Sequence, residues 1–439
     1  MIKKKIFLLL TIALLSIFST AEAKVFIDLS APALKKIPIA VQDFKNLGTE
    51  PVSPEEAARI RNELLDALTS DIRFTNLFTI LDKASFLEDA QKAGLAPEEI
   101  NFKDWRTIGA DTLVKGGFTV EKDKLTVEIR FFDCIKEVQL VGKKYIGSAK
   151  NPRRVIHYFA DQVYEELTGR RGIYTTKLLF ASDKGGNKEI FVADFDGKNA
   201  TQITRNRSIN LSPQWSPDGS RMLYVSYKKG TPSLYMLDLK TGKDTVISAK
   251  PGINIGGRFS PDGTKIALTL SIDRSAELYL FDFNTNEYKR LTDNYGIDVS
   301  PSWSPDGTKL AFVSDTSGNP HIFVLDLPTG NLKRLTFNGK YNSSPAWSPD
   351  GKTIAFSRSD SGRFNIWVMR PDGSNLTQIT FEGNNRSPSW SPDSRYIVYS
   401  YTSRGNSSLF IMQADGSGQQ KLDTGIGNEK SPAWSPFIQ

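Results

Sequence analysis

Cysteine, histidine and long apolar runs are all scarce in this chain, and each scarcity removes a class of function. Among 439 residues Cys134 is the single cysteine. No intrachain disulfide can form and no cysteine-based metal site can be assembled, so stability must come from core burial. Cys134 lies in the apolar run Phe131-Phe132-Asp133-Cys134-Ile135 and reads as a buried strand residue. His157 and His321 are the two histidines. Without a third, and without a ligating cysteine, no metal is expected. No Gly-x-Ser-x-Gly elbow occurs, which counts against a serine peptidase. A phosphate-binding loop and a dinucleotide fingerprint are also missing. The expectation is a protein with no cofactor and no catalytic residues. The charge is +7, without a dense Lys/Arg run. Nucleic-acid binding concentrates such charge on one face, so no nucleic-acid partner is expected.

The longest apolar run is at the start. Lys3, Lys4 and Lys5 precede Ile6 to Phe18, and Ala21-Glu22-Ala23 follows. A positive start, a short apolar stretch and a small-x-small site read as an export signal. The alternative is an uncleaved membrane anchor, but the run is short for a span. Residues 1–23 are therefore expected to be removed, leaving Lys24 as the first residue and a charge of about +5. No cysteine near the cleavage point allows lipid attachment.

What the chain has in abundance is a repeat. Trp215-Ser-Pro-Asp-Gly returns as Phe259-Ser-Pro-Asp-Gly, Trp303-Ser-Pro-Asp-Gly, Trp347-Ser-Pro-Asp-Gly, Trp390-Ser-Pro-Asp-Ser and Trp434-Ser-Pro, at spacings of 44, 44, 44, 43 and 44 residues. The unit near Ser300 reads as four strands. Strand A is Pro301–Ser304, strand B Leu310–Ser314, strand C His321–Asp326 and strand D Leu332–Thr336, with turns at Pro305-Asp306-Gly307 and Thr329-Gly330. Four antiparallel strands per unit of this length predict propeller blades. The recurring Trp is expected to pack between blades rather than to stack on a ligand. The recurring Asp218, Asp262, Asp306, Asp350 and Asp393 are expected to hold turns.

Before Trp215, Lys177–Ser182, Glu189–Asp194 and Thr201–Thr204 match strands B, C and D without an A. Ser431 to Pro436 is an A with nothing after it. Joined, they complete a sixth blade and close the ring, which removes exposed sheet edges.

Residues 24–168 lack the repeat. Ser53-Pro54-Glu55-Glu56 reads as a capping box with Pro at the first helical position, followed by Ala57, Ile60, Leu64 and Leu68 at helical spacing. Asn151-Pro152 opens a second helix, with Ile156, Phe159, Val163 and Leu167 on one face. Thr112–Val120, Lys124–Phe132 and Val138–Ile146 read as strands. The fold class is thus a small N-terminal α/β domain followed by a six-bladed β-propeller over 169–439, with the boundary at Gly169-Arg170-Arg171-Gly172. Lys24-Val25-Phe26-Ile27-Asp28-Leu29-Ser30 is strand-like before Ala31-Pro32 interrupts it. It reads either as an edge strand of its own sheet or as a strand offered to a partner.

An export signal, a small α/β domain opening with Val25-Phe-Ile-Asp-Leu, and six Trp-Ser-Pro-Asp-Gly blades together resemble the TolB family of the Tol-Pal system. The blade motif alone is shared by many propellers; the combination carries the resemblance, over the whole chain. The resemblance implies a periplasmic interaction hub that supports outer-membrane integrity and constriction during cell division. It implies binding of the lipoprotein Pal at the propeller mouth and of TolA through Lys24 to Ser30. A monomer, peripheral to membranes through its partners, is expected. Strand A starts beside the channel, so loops joining D to A line one mouth. The candidate Pal-binding residues there are Asn210, Leu211, Ile253, Asn254, Asp298 and Val299, with Asn342, Ser343, Asn385, Arg386, Glu429 and Lys430 from the remaining blades. They vary between blades where the Trp anchors do not. Another exported propeller module, a scaffold or a peptide or carbohydrate receptor, is the competing reading.

Overall fold

The computed structural model describes residues 26–27, 35–48, 52–272 and 275–438. The expected export signal and Lys24, Val25, Asp28, Leu29 and Ser30 lie outside the described residues. The first domain runs β1 (Ile37–Val41), β2 (Lys45–Asn46), α1 (Pro54–Thr75), β3 (Phe78–Ile80), α2 (Phe102–Thr107), β4 (Thr112–Glu121), β5 (Lys124–Asp133), β6 (Val138–Ser148) and α3 (Arg153–Thr168). Ser53 Oγ accepts the Glu56 amide at 3.2 Å and starts α1 as expected. The Glu56 carboxylate pairs with Arg59 instead of reaching back. The second expected helix is α3; Pro152 caps it without a side-chain bond, and Gly169 ends it at φ 67°.

The sheet order is β3-β1-β4-β5-β6, with β2 on β4. β1 pairs in parallel with β3 and β4, while β4, β5 and β6 form an antiparallel meander. Alternation along β1 sends Ile39 and Val41 into the core under α1 and α3, and Ala40 into a second core with Trp105 and Phe132. Cys134 belongs to that second core. It is fully buried as expected, but it sits in the turn after β5 rather than in a strand. Its amide donates to the Asp111 carbonyl at 2.9 Å, which carries the β4–β5 pairing one residue further before the chain turns.

The propeller has six four-stranded sheets. Strands A are Asn210–Trp215, Asn254–Phe259, Asp298–Trp303, Tyr341–Trp347, Asn384–Trp390 and Glu429–Trp434 in blades 1 to 6. Glu429–Trp434 pairs with Lys177–Ser182, so both ends of the domain build blade 6. The Trp anchors sit in the seams. Trp215 Nε1 donates to Ala433 O of blade 6 (3.0 Å), Trp303 Nε1 to Arg258 O of blade 2 (3.1 Å) and Trp390 Nε1 to Ala346 O of blade 4 (2.9 Å).

The repeated Asp residues hold turns. Ser216 Oγ donates to Asp218 Oδ1 (2.5 Å) and accepts the Arg221 amide (2.9 Å). The Ser260/Asp262, Ser304/Asp306, Ser348/Asp350 and Ser391/Asp393 pairs repeat the first of these bonds. Gly219 supplies φ 70° in the same turn.

The N-terminal domain packs on the face carrying the A–B and C–D turns. The Phe74 ring, near the end of α1, lies 4.6 Å from Tyr396 and 5.1 Å from Phe195, and apolar burial runs unbroken from one domain to the other. Beside it is an ionic cluster, buried except for Asp66 at its edge. Arg153 bridges Asp66 and Asp196, each at 2.5 Å, and His157 Nδ1 lies 2.8 Å from Asp71 Oδ2. Burial alone would lower the His157 pKa, but Asp71, with Asp196 and Asp194 behind it, raises it above 6.5 overall. Burial raises Asp71 to about 6. Both groups therefore hold protons more tightly in the folded state. Their stabilisation is complete below each unfolded value and is lost as pH rises through the folded ones. The domain junction should loosen as pH rises from about 4 through 6, where Asp71 ionises, and further as pH rises above 6.5 and His157 loses its proton. Thermal unfolding across that range checks this: His157→Gln should flatten the slope, and a slope equal to that of the parent protein would reject the assignment.

Candidate docking mouth

Residues of strand A from all six blades line a central channel of about 240 Å³. The D–A loops open at one end, away from the N-terminal domain. Each A strand meets that end with a polar residue, and these six were all among the predicted contacts. Asn210, Asn254, Asp298, Asn342, Asn385 and Glu429 are every one buried. Their bonds explain why. Asn254 Nδ2 donates to Lys250 O (2.7 Å) and its Oδ1 accepts Ser248 Oγ (2.6 Å). Asn342 Nδ2 reaches Asn338 O (3.1 Å), Asn385 Nδ2 reaches Glu382 O (2.7 Å), and Glu429 Oε1 accepts the Gly427 amide (2.8 Å). Asp298 Oδ2 accepts Asn294 Nδ2 (2.7 Å) and Asn210 Nδ2 donates to Glu189 Oε2 (2.9 Å). These side chains brace the loops. The remaining predicted residues face outward more: Ile253, Arg386 and Lys430 are exposed, and Leu211, Val299 and Ser343 are half-buried.

The sequence reading passed over a band of apolar side chains on the same loops. Ile209, Tyr295, Ile297, Phe337, Tyr341 and Phe381 are all exposed, Tyr295 completely and Phe337 and Phe381 at 70% and 73%. With Ile253 they give five neighbouring blades an apolar tip. Bulky apolar groups in otherwise polar Asn/Gly turns, as in Asn294-Tyr-Gly-Ile297, were the available signal. A concentrated exposed apolar surface rimmed by polar groups is what a protein interface presents.

Two of the seven N-terminal strand residues are described. Ile27 N donates to Leu167 O at 2.8 Å and the Phe26 ring lies over Gly169, at the end of α3. The contact is with a helix end, and neither residue pairs with a strand. Phe26 and α3 border a groove of about 470 Å³.

Among the described residues, His157, Asp194 and Asp196 bring one ligand atom each within 4.8 Å of one another. Lys177 already pairs with Asp194 and Arg153 with Asp196, so the carboxylates have their countercharges.

The fold and the mouth together define a class: a β-propeller with an accessory α/β domain on one face and an apolar-rimmed mouth on the other. The family profile of the TolB beta propeller domain matches residues 164–438 and that of the TolB amino-terminal domain matches residues 25–140. The chain belongs to the TolB family. It is 42% identical over 195 residues to the Tol-Pal system protein TolB of Desulfosudis oleivorans, covering 44% of this chain and 43% of that one. It is 43% identical over 213 residues to that of Syntrophotalea carbinolica, 48% of each chain. The matched stretch thus spans about half the length of the curated relatives. The crystal structure of TolB from Acinetobacter baumannii matches with TM-score 0.77 and 29% identity, over 92% of this chain and 97% of that one.

Proposed function

We propose that the chain is a non-catalytic component of a periplasmic Tol-Pal system. It docks Pal on the apolar D–A rim and TolA through Lys24 to Ser30, and so supports outer-membrane integrity and constriction at division. Residues 1–23 direct export, residues 24–168 form the TolA-facing domain, and residues 169–439 form the Pal-facing propeller. The observation that carries the reading is the exposed apolar rim on the face left free by the N-terminal domain. The braced loops beneath it favour a rigid docking surface, which lowers the ordering cost of association.

The N-terminal segment suits a two-state element. Phe26 and Ile27 hold to the domain through one backbone bond to α3, one ring contact and the packing of Ile27 on the core, interactions a partner strand can replace. Deleting residues 24–35 should abolish TolA binding and leave the circular dichroism spectrum intact; unchanged TolA affinity would remove this half of the proposal. The first test is isothermal titration of residues 24–439 with the soluble domain of Pal from the same cell. Saturable binding supports the reading. A folded sample that does not bind overturns it.

A further inference from the structure

The channel wall is a near-repeat with one exception. In five blades strand A carries a Ser-Pro pair, and the Ser is left-handed: Ser212, Ser300, Ser344, Ser387 and Ser431 have φ of 51–57°. Blade 2 has Gly256-Gly257 instead, with Gly256 at φ 72°. This left-handed residue sits in a bulge where the pairing with strand B skips register in every blade. Two residues further on, Gln214, Ser302, Ala346 and Ser389 line the channel, and blade 2 places Arg258 there. The departures from the repeat thus cluster on the strand that bears the arginine, down to Phe259 in place of Trp.

Among the described residues, Arg258 is the only charged one lining the channel. Its hydrogen bond is a long one, 3.5 Å, to the carbonyl of its own neighbour Gly257. No described carboxylate lies within ion-pair distance. Burial lowers the guanidinium to about 10, with no charged group contributing. Arg258 is half-buried and faces the channel without a protein countercharge, and a bound anion would supply one. The same channel wall carries hydroxyl groups at Ser302 and Ser389. Ser302 Oγ accepts the Trp347 amide and Ser389 Oγ the Trp434 amide, each leaving its own hydrogen to donate.

We propose that the propeller channel is an oxyanion site in which Arg258 binds a phosphate or carboxylate group through its two-pronged guanidinium, with the Ser302 and Ser389 hydroxyls as further donors. The site is independent of what docks on the rim. It lies four residues down strand A from Asn254, beneath the mouth rather than on it. It selects for negative charge because the channel wall presents donors and no carboxylate.

The test is titration of residues 24–439 with inorganic phosphate and, separately, with acetate, at constant ionic strength. Saturable one-to-one binding of either ligand is expected. Phosphate alone binding would name a phosphate source, and acetate alone a carboxylate such as that of a peptide. Arg258→Gln should weaken binding at least tenfold with the far-ultraviolet circular dichroism unchanged. Should that variant misfold, Arg258→Lys decides: it keeps the charge but loses the fork, and a several-fold loss of affinity is expected. No saturable binding of either anion by the folded chain, or full affinity in a folded variant, overturns the proposal.

Discussion

Replacing Trp434 with Ala is expected to cost about 3–5 kcal/mol, among the largest effects of any single change in the propeller. The residue closes the ring. Its strand is the sole A strand of blade 6, paired to Lys177–Ser182 from the other end of the domain. Its Nε1 donates to Thr176 Oγ1 at 2.8 Å, its amide donates to Ser389 Oγ of blade 5 at 3.0 Å, and its ring is buried. Removing the ring leaves a cavity in the one blade whose A and B strands are not continuous in the chain. It also leaves the buried Thr176 hydroxyl without that bond. Urea unfolding with linear extrapolation measures the loss. The same change at Trp347, whose indole bonds only to Gly351 O in its own turn and stays half-buried, should cost less. Equal losses at the two positions would show that closure adds nothing to ordinary seam packing.

The second large effect is expected on binding and not on stability. Tyr295→Ala combined with Phe381→Ser should weaken Pal association by a hundredfold or more, since buried aromatic anchors at an interface each contribute about 2 kcal/mol or more. The melting temperature should stay near that of the parent protein, because both rings stand in solvent in the free protein. Substitution of Asn342, by contrast, should lower stability as well, because its amide braces the D–A loop to Asn338 and Pro320. Affinity and melting temperature measured on both variants separate contact from support. Undiminished Pal affinity in the Tyr295/Phe381 variant would move the docking surface elsewhere.

This contrast locates the limit of reading the mouth from the chain. Variation between blades pointed to the D–A loops, and six of the side chains it named there are buried in the structure. Asn254 and Asn342 vary little in chemistry because they make the same kind of loop bond in different blades. Their burial follows from where strand A ends against the preceding loop, which no local pattern encodes. Tyr295 and Phe381 were legible in principle as apolar residues inside polar turns, yet whether such a ring folds under or stands out depends on the neighbouring blade. Arg258 looked like one basic residue among many until six strands were brought round one axis.

Much else was determined by the sequence alone. Six repeats at 43 or 44 residues leave a ring of six sheets as the economical way to bury every blade face, and the unpaired A and B-C-D pieces at the two ends dictate how it closes. Ser53-Pro54 and the 3.6-residue spacing behind it set α1, because capping and amphipathicity are local. The short parallel strand β1 escaped notice, since its partners β3 and β4 lie some forty and seventy residues away and a five-residue apolar run has no period of its own. The tertiary structure alone decided the rest: that the N-terminal domain covers the turn face and leaves the mouth free, that His157 finds Asp71 across two helices, and that one arginine stands unpaired in the channel. Each is a meeting of residues far apart in the chain. Such meetings depend on how rigid sheets and helices pack, and burial, charge pairing and exposure are settled only there.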